Sequence, residues 1–192
     1  MKITNICVYS GGRYDAGAEH FRTASKELGE LLAYQGWGLV YGAGGHGLMG
    51  TVATSVINHG GRVIGVIPQH IVDQEKPPTY LTELYVVDSM HTRKQKMADL
   101  GDAFVILPGG YGTVEEAFEI LTWRQLGLHN KPIIFLNIDG FWDPIQAQKQ
   151  KFYKEGFITE NDFKLFKVVT NSSDILEALK DDGYSIKETT KK

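Results

Sequence analysis

Ala103-Phe-Val-Ile-Leu-Pro-Gly-Gly-Tyr-Gly-Thr-Val-Glu-Glu116 is the stretch whose reading decides the fold. It runs from an unbroken apolar segment ending at Leu107, through Pro108, Gly109, Gly110, Tyr111 and Gly112, into a helix-forming segment. An apolar run without alternation belongs to a strand buried on both faces, as in a parallel sheet covered by helices. Backbone N–H groups at the start of the following helix, with its dipole, make a ready anion site. Thr113-x-x-Glu116 also fits a capping box, which predicts a helix from Thr113 with Glu116 in its first turn. A carboxylate there is expected to keep an ordinary or lowered pKa, because the dipole favours its charged form. That suits a charge stabiliser or a base for water better than a proton donor. Capping accounts for Thr113 and Glu116 but not for three glycines, so a ligand site is the preferred reading, with Glu115 the alternative carboxylate.

Outward from this element the same pattern repeats. Strands are expected at 3–9, 38–41, 62–67, 84–87, 103–107, 132–137 and 167–169. Helices are expected at 16–35, 47–58, 90–100, 113–126, 144–155 and 173–180. The alternation predicts an α/β fold, a mostly parallel sheet of about seven strands flanked by helices, in one domain over 1–180. Residues 181–192 read as a polar, frayed tail without a function. Ligands in such sheets lie beyond the carboxyl ends of the strands, where the glycine clusters 11–12, 42–50 and 109–112 fall.

Composition narrows the function classes. The 192 residues carry 20 Lys and Arg against 23 Asp and Glu, a formal net charge of −3, which argues against a protein that binds nucleic acid through many phosphates. The single cysteine, Cys7, excludes an intramolecular disulfide and a multi-cysteine zinc site. Six histidines are scattered without metal-ligand spacing, so neither a metal nor a cofactor is expected. No apolar stretch approaches the length of a membrane span. The expectation is a cytoplasmic protein that acts on a small molecule.

Two further motifs bear on chemistry. Gly42-Ala-Gly44-Gly45-His-Gly47 matches G-x-G-x-x-G, but no acid ends the next strand, which continues into Pro68-Gln-His70. This leaves a structural turn or a phosphate or sugar contact at Gly44 and Gly45 ahead of a dinucleotide site. Met90-His-Thr-Arg93-Lys94-Gln-Lys96 sets cations at a helix start, against the dipole, and anion recognition by Arg93 and Lys94 accounts for them better than capping. Ser10, opening the first glycine turn, is a candidate hydrogen-bond donor to the same ligand.

Together, Gly44-Gly-His-Gly-Leu-Met-Gly50, Met90-His-Thr-Arg-Lys94 and Pro108-Gly-Gly-Tyr-Gly-Thr-Val-Glu-Glu116 resemble the LOG family of cytokinin riboside 5′-monophosphate phosphoribohydrolases, long mislabelled as lysine decarboxylases. The resemblance extends from about Ile3 to Leu179. It implies a Rossmann-like sheet and hydrolysis of the N-glycosidic bond of an adenosine 5′-monophosphate. It implies Arg93 and Glu116 as catalytic residues, and a phosphate loop at Gly109, Gly110, Tyr111, Gly112 and Thr113 with Lys94 beside it. It also implies substrate contacts from Met90 and Glu115, and from Glu75 as a sugar-contacting acid. Ser10-Gly-Gly-Arg13 departs from the family's more usual first turn. A nucleotide-binding module without turnover and a general AMP nucleosidase remain the alternatives. The helix after the glycine loop carries Ala117, Phe118, Ile120, Leu121, Trp123 and Leu126, a set wider than one sheet-facing stripe, which predicts a homodimer.

Overall fold

Seven short apolar runs form the strands: β1 (Asn5–Tyr9), β2 (Gly38–Tyr41), β3 (Val63–Pro68), β4 (Glu83–Val87), β5 (Ala103–Ile106), β6 (Ile133–Leu136) and β7 (Lys167–Val169). The computed structural model describes residues 2–13 and 19–187. The strands make one sheet in the order β4-β3-β2-β1-β5-β6-β7, and every neighbouring pair is parallel. β1 lies at the centre, with Cys7 opposite Val40 of β2 on one side and Phe104 of β5 on the other. Chain order reverses there, since the first crossovers run outward through β2, β3 and β4 and the later ones through β5, β6 and β7. Loops leaving β1 and β5 therefore diverge at their carboxyl ends and leave a crevice.

Both faces of the sheet are covered, which is why strand residues from β1, β2, β3, β5 and β6 are buried without alternation. One layer holds α1 (Glu19–Gln35), α2 (Gly47–Asn58) and α8 (Asp174–Asp181), packed on Val8, Leu39, Tyr41 and Leu136. Leu28 and Leu32 of α1 are completely buried, each contributing about 1.5–3 kcal/mol through area removed from water. The other layer includes α4 (Met90–Leu100), α5 (Tyr111–Gln125) and α6 (Asp143–Lys154), with Met97, Ala117, Ile120 and Ile145 against Cys7, Phe104 and Phe135. The short helices α3 (Gln69–Val72) and α7 (Glu160–Phe163) were not expected; four residues are too few for a helical periodicity to register. Because α3 is so short, the edge strand β4 keeps Leu84 and Val86 exposed.

Among the described residues the other boundaries agree with expectation or differ by one or two residues, and one difference matters. Helix α5 begins at Tyr111 rather than Thr113, with Gly110 as its N-cap and no capping side chain. Thr113 and Glu116 are thus the third and sixth helical residues, and the expected capping box is absent. The glycine loop, which needs no cap side chain, lets the helix start two residues early. At the other end, Lys187 N–H donates to Gln35 Oε1 at 2.9 Å, Gln35 Nε2 donates to Lys187 O at 3.1 Å, and Tyr184 and Ile186 pack on the core. Residues 184–187 are thus tied to the core, where a frayed tail was expected from residue 181. Residues 188–192, and positions 16–18 of the expected first helix, lie outside the described residues.

Among the described residues no helix is long and apolar enough to cross a membrane. The loops after β1 and β2 meet where Gly47, at φ +60°, would place a Cβ 2.6 Å from the backbone of Gly12. Gly60 has a similar φ of +74° but open space around it. Gly60→Ala should cost about 1 kcal/mol from backbone strain alone. Gly47→Ala should cost at least twice that, because the backbone it strikes cannot rotate away. Urea unfolding of the two variants measures the difference; equal midpoints would refute the close approach.

Candidate active site

Three loops are sewn together at the carboxyl ends of β1, β2 and β5. Gly11 N–H donates to Pro108 O at 3.0 Å, while Gly11 O accepts from Leu48 N–H at 3.0 Å. A Cβ at Gly109 would fall 2.9 Å from Gly11 N and closer still to Thr113 Oγ1, so this position tolerates only glycine. Gly110 and Gly112 are different: a Cβ at either would meet nothing within 4 Å. Protein packing does not require glycine there, whereas a ligand lying on bare backbone does.

The cleft bounded by these loops has a volume of about 580 Å³. Ser10, Gly109, Gly110, Gly112 and Thr113 line one part of it, Met90, Arg93, Glu115 and Glu116 another, and Phe21, Leu48, Met49 and Phe141 give it apolar surface. The amides opening α5 thus adjoin the cleft, and the hydroxyl of Ser10, a residue only 2% exposed, has no hydrogen-bond partner among the described residues. A buried hydroxyl left unmade is costly, and a ligand oxygen would satisfy it.

Glu116 is 7% exposed. Burial, opposed by the charge of Arg93, pushes its carboxyl up to about 7, with Glu115 and Glu119 raising it and Lys94 lowering it. This corrects the expectation of an ordinary or lowered pKa. In the second turn of α5 the carboxylate gains little from the helix dipole, which acts within the first turn, and loses its water instead. Tyr9 and Cys7 of β1, both buried and with burial driving their pKa values up, lie in its field.

Arg93 is held by strand ends rather than by an acid. Its Nε donates to Val66 O at 3.2 Å and its Nη2 to Gly42 O at 3.0 Å, and Nη1 lies 3.7 Å from Met90 Sδ. Among the described residues it forms no ion pair with a carboxylate. Gly42, the first glycine of the G-x-G-x-x-G match, is explained by this: a Cβ there would fall within the guanidinium. The rest of that loop is also packing. Gly44 abuts Met49 Sδ, Gly50 abuts Gly45 O, and the amides of Leu48 and Met49 are taken up by Gly11 O. Gly44 and Gly45 do not line the cleft.

Three other expected contacts lie elsewhere. Lys94 is buried outside the cleft lining, with Nζ donating to Glu115 Oε1 at 2.5 Å and Glu119 Oε1 at 3.0 Å. Tyr111 is 97% exposed and is not part of the cleft lining. Glu75 is half exposed and sits 3.7 Å from His46 Nε2. The aromatic pair Phe21 and Phe141, ring centroids 5.5 Å apart and edge to face, escaped the sequence reading because its members are 120 positions apart in separate loops or helices. Among the described residues no cluster of three or more His, Cys, Asp or Glu is placed to hold a metal.

A family model described as possible lysine decarboxylase matches residues 49–179. The cytokinin riboside 5′-monophosphate phosphoribohydrolase LOG of Oryza sativa subsp. japonica is 45% identical over 160 residues, covering 83% of this chain and 66% of that relative. LOG1 of Arabidopsis thaliana, of the same description, is 39% identical over 181 residues, 94% of this chain and 84% of its own. Among solved structures, the molybdenum cofactor carrier protein of Chlamydomonas reinhardtii superposes with a TM-score of 0.70 at 20% identity, covering 93% of this chain and 96% of that one. At that identity the likeness concerns the fold.

Glu116 carries a stability consequence independent of any substrate. Its folded pKa, about 7, exceeds the ordinary glutamate value of 4.5, so the folded state binds this proton more tightly. Its contribution to stability is full below pH 4.5 and is lost as pH rises toward and through 7. At 1.36 kcal/mol per unit the loss is about 3 kcal/mol. Glu116→Gln should therefore melt above the parent protein at pH 8 by several degrees and gain much less at pH 5. A variant destabilised equally at both pH values would contradict the burial argument.

Proposed function

We propose that this chain, which belongs to the LOG family of phosphoribohydrolases, hydrolyses the N-glycosidic bond of an adenosine 5′-monophosphate, releasing the free base and ribose 5-phosphate. The curated relatives are named for this reaction on cytokinin riboside 5′-monophosphates. The observation that carries the reading is a desolvated carboxylate, Glu116, in the same cleft as an anion site built from the α5 amides and the unpartnered Ser10 hydroxyl. The apolar lining from Phe21, Leu48, Met49 and Phe141 suits a purine, with or without an N6 extension. We place its substrate in the cytoplasm, where nucleoside monophosphates occur.

The chemistry follows from the charges. With the 5′-phosphate on Gly109–Thr113, the substrate is fixed remotely from the bond that breaks, so binding energy goes into orientation. As the bond between C1′ and nitrogen opens, positive charge develops on the sugar, and ionised Glu116 stabilises it while taking a proton from the attacking water. The proton that Glu116 takes passes by way of solvent to the departing purine nitrogen, which regenerates the carboxylate, and the sugar keeps the water's oxygen. Arg93, its guanidinium held by two carbonyls, supplies fixed positive charge that favours ionised Glu116. A nucleotide-binding module would need the anion site but not this carboxylate.

Incubation with isopentenyladenosine monophosphate and with AMP, followed by chromatography, should release free base from at least one of them. The kcat/KM should rise tenfold per pH unit below about 7 and level off above it. Glu116→Gln should abolish release while weakening AMP binding only modestly. The corresponding nucleoside should be turned over at least about a hundredfold more slowly, since two lost charge-assisted hydrogen bonds are worth roughly 1.5–3 kcal/mol each. Equal turnover of nucleoside and nucleotide would remove the phosphate from this loop, and retention of bound nucleotide without release would favour the binding module.

The same reading includes a homodimer. Ala117 and Ile120 of α5 face the sheet, but Leu126 and Leu128 just beyond it are 69% and 70% exposed. Two leucines so exposed beside half-buried Trp123 fit a self-complementary patch. Sedimentation equilibrium at low micromolar concentration should give twice the 21.4 kDa chain mass; a single 21.4 kDa species would defeat it.

A further inference from the structure

Lys94 lies next to Arg93 in the chain, yet the structure uses the two cations in opposite ways. Arg93 lines the cleft with its nitrogens on carbonyl oxygens. Lys94 is buried behind it, outside the lining, and its ammonium is claimed by Glu115 and Glu119, one helical turn apart on α5. Those carboxylates flank Glu116 in the sequence of the same helix. An ammonium with two close carboxylate partners has little left for a phosphate, and moving it to one would strand two negative charges beside Glu116.

We propose that Lys94 is a positioning residue and not a phosphate ligand: it clamps Glu115 and Glu119 between α4 and α5 and neutralises their charge beside Glu116. This deepens the reading of Glu116 as the catalytic carboxylate and rests on it. The charged and titratable groups that face Glu116 are Arg93 and Lys94 from α4, Glu115 and Glu119 from α5, and Tyr9 and Cys7 from β1. The two glutamates raise its pKa while Arg93 and Lys94 lower it. Burial by itself would lower the Lys94 pKa, but the bonds and charges of Glu115 and Glu119 outweigh that and raise it, so Lys94 stays cationic wherever Glu116 titrates.

The experiment follows the Glu116 carboxylate directly, by carbon-13 NMR of glutamate-labelled protein, its resonance identified by its absence in Glu116→Gln. The expected midpoint is about 7 in the parent protein. In Lys94→Met it should rise by about one unit or more, the effect of like charges left uncompensated within a few ångströms, and the rising limb of the kcat/KM profile should move with it. Glu115→Gln/Glu119→Gln, which keeps Lys94, should move both the other way and serves if Lys94→Met does not fold. Lys94→Arg should restore the parent midpoint. An unmoved midpoint in folded Lys94→Met, or in the double carboxamide variant, overturns the proposal. So does a hundredfold loss of ribose 5-phosphate affinity in Lys94→Met without a shift, which would make Lys94 an anion ligand. The titration needs no turnover, so a protein that releases no base from any nucleotide would refute the proposed reaction and leave the role of Lys94 decided separately.

Discussion

Gly11 is where the molecule is tied. Its amide reaches the loop after β5 and its carbonyl reaches the helix after β2, so three strand ends meet backbone to backbone at the point where the sheet reverses its winding. Side chains would hold these loops apart: a Cβ on Gly47 would fall 2.6 Å from the backbone of Gly12, and one on Gly109 would strike Gly11 and Thr113. The cost of ordering such glycine-rich segments is high, and the inter-loop hydrogen bonds and the buried strands beneath them offset it. Everything chemical depends on this knot. It aims the amides of α5 into a cleft, buries the Ser10 hydroxyl without a partner, and closes the floor on which Glu116 loses its water.

The electrostatics of the cleft follow from that desolvation. In water Glu116 would be fully ionised at neutral pH; behind the knot, burial pushes its carboxyl up to about 7. Two neighbouring glutamates push further in the same direction, and two cations push back. The balance leaves a group poised near the working pH, where general acid–base catalysis is most effective. A site of this kind is destabilising by construction, and the apolar core on both faces of the sheet carries that cost.

Much of this was legible in the residues. Unbroken apolar runs separated by helical stretches pointed to a parallel sheet, and glycines after β1, β2 and β5 marked its ligand-facing end. The family motifs picked out Arg93 and Glu116, both of which line the cleft. What stayed hidden depended on distance in three dimensions. The glycines of Gly42-Ala-Gly44-Gly45-His-Gly47 suggested a ligand loop, yet Gly42 makes room for Arg93, 51 positions away, and the others admit neighbouring loops and helices. The bonds from Lys94 to Glu115 and Glu119 were likewise out of sight, since those carboxylates lie a helix and a strand further on. The pKa of Glu116 was misjudged because the helix began two residues early, turning a capping position into a buried one.

The placement of Arg93 and Glu116 divides the site between the two halves of the sheet. Arg93 hangs from the ends of β2 and β3, on one side of the reversal, while Glu116 rides on the helix that follows β5, on the other. Their separation is therefore a measure of how β1 holds its two neighbours, through the pairing of Cys7 with Val40 and with Phe104. A small sliding of one half against the other would change the field at the carboxylate by moving Arg93 relative to Glu116. The central strand, buried along its whole length, sets the spacing of the charges as a spacer sets the gap of a capacitor.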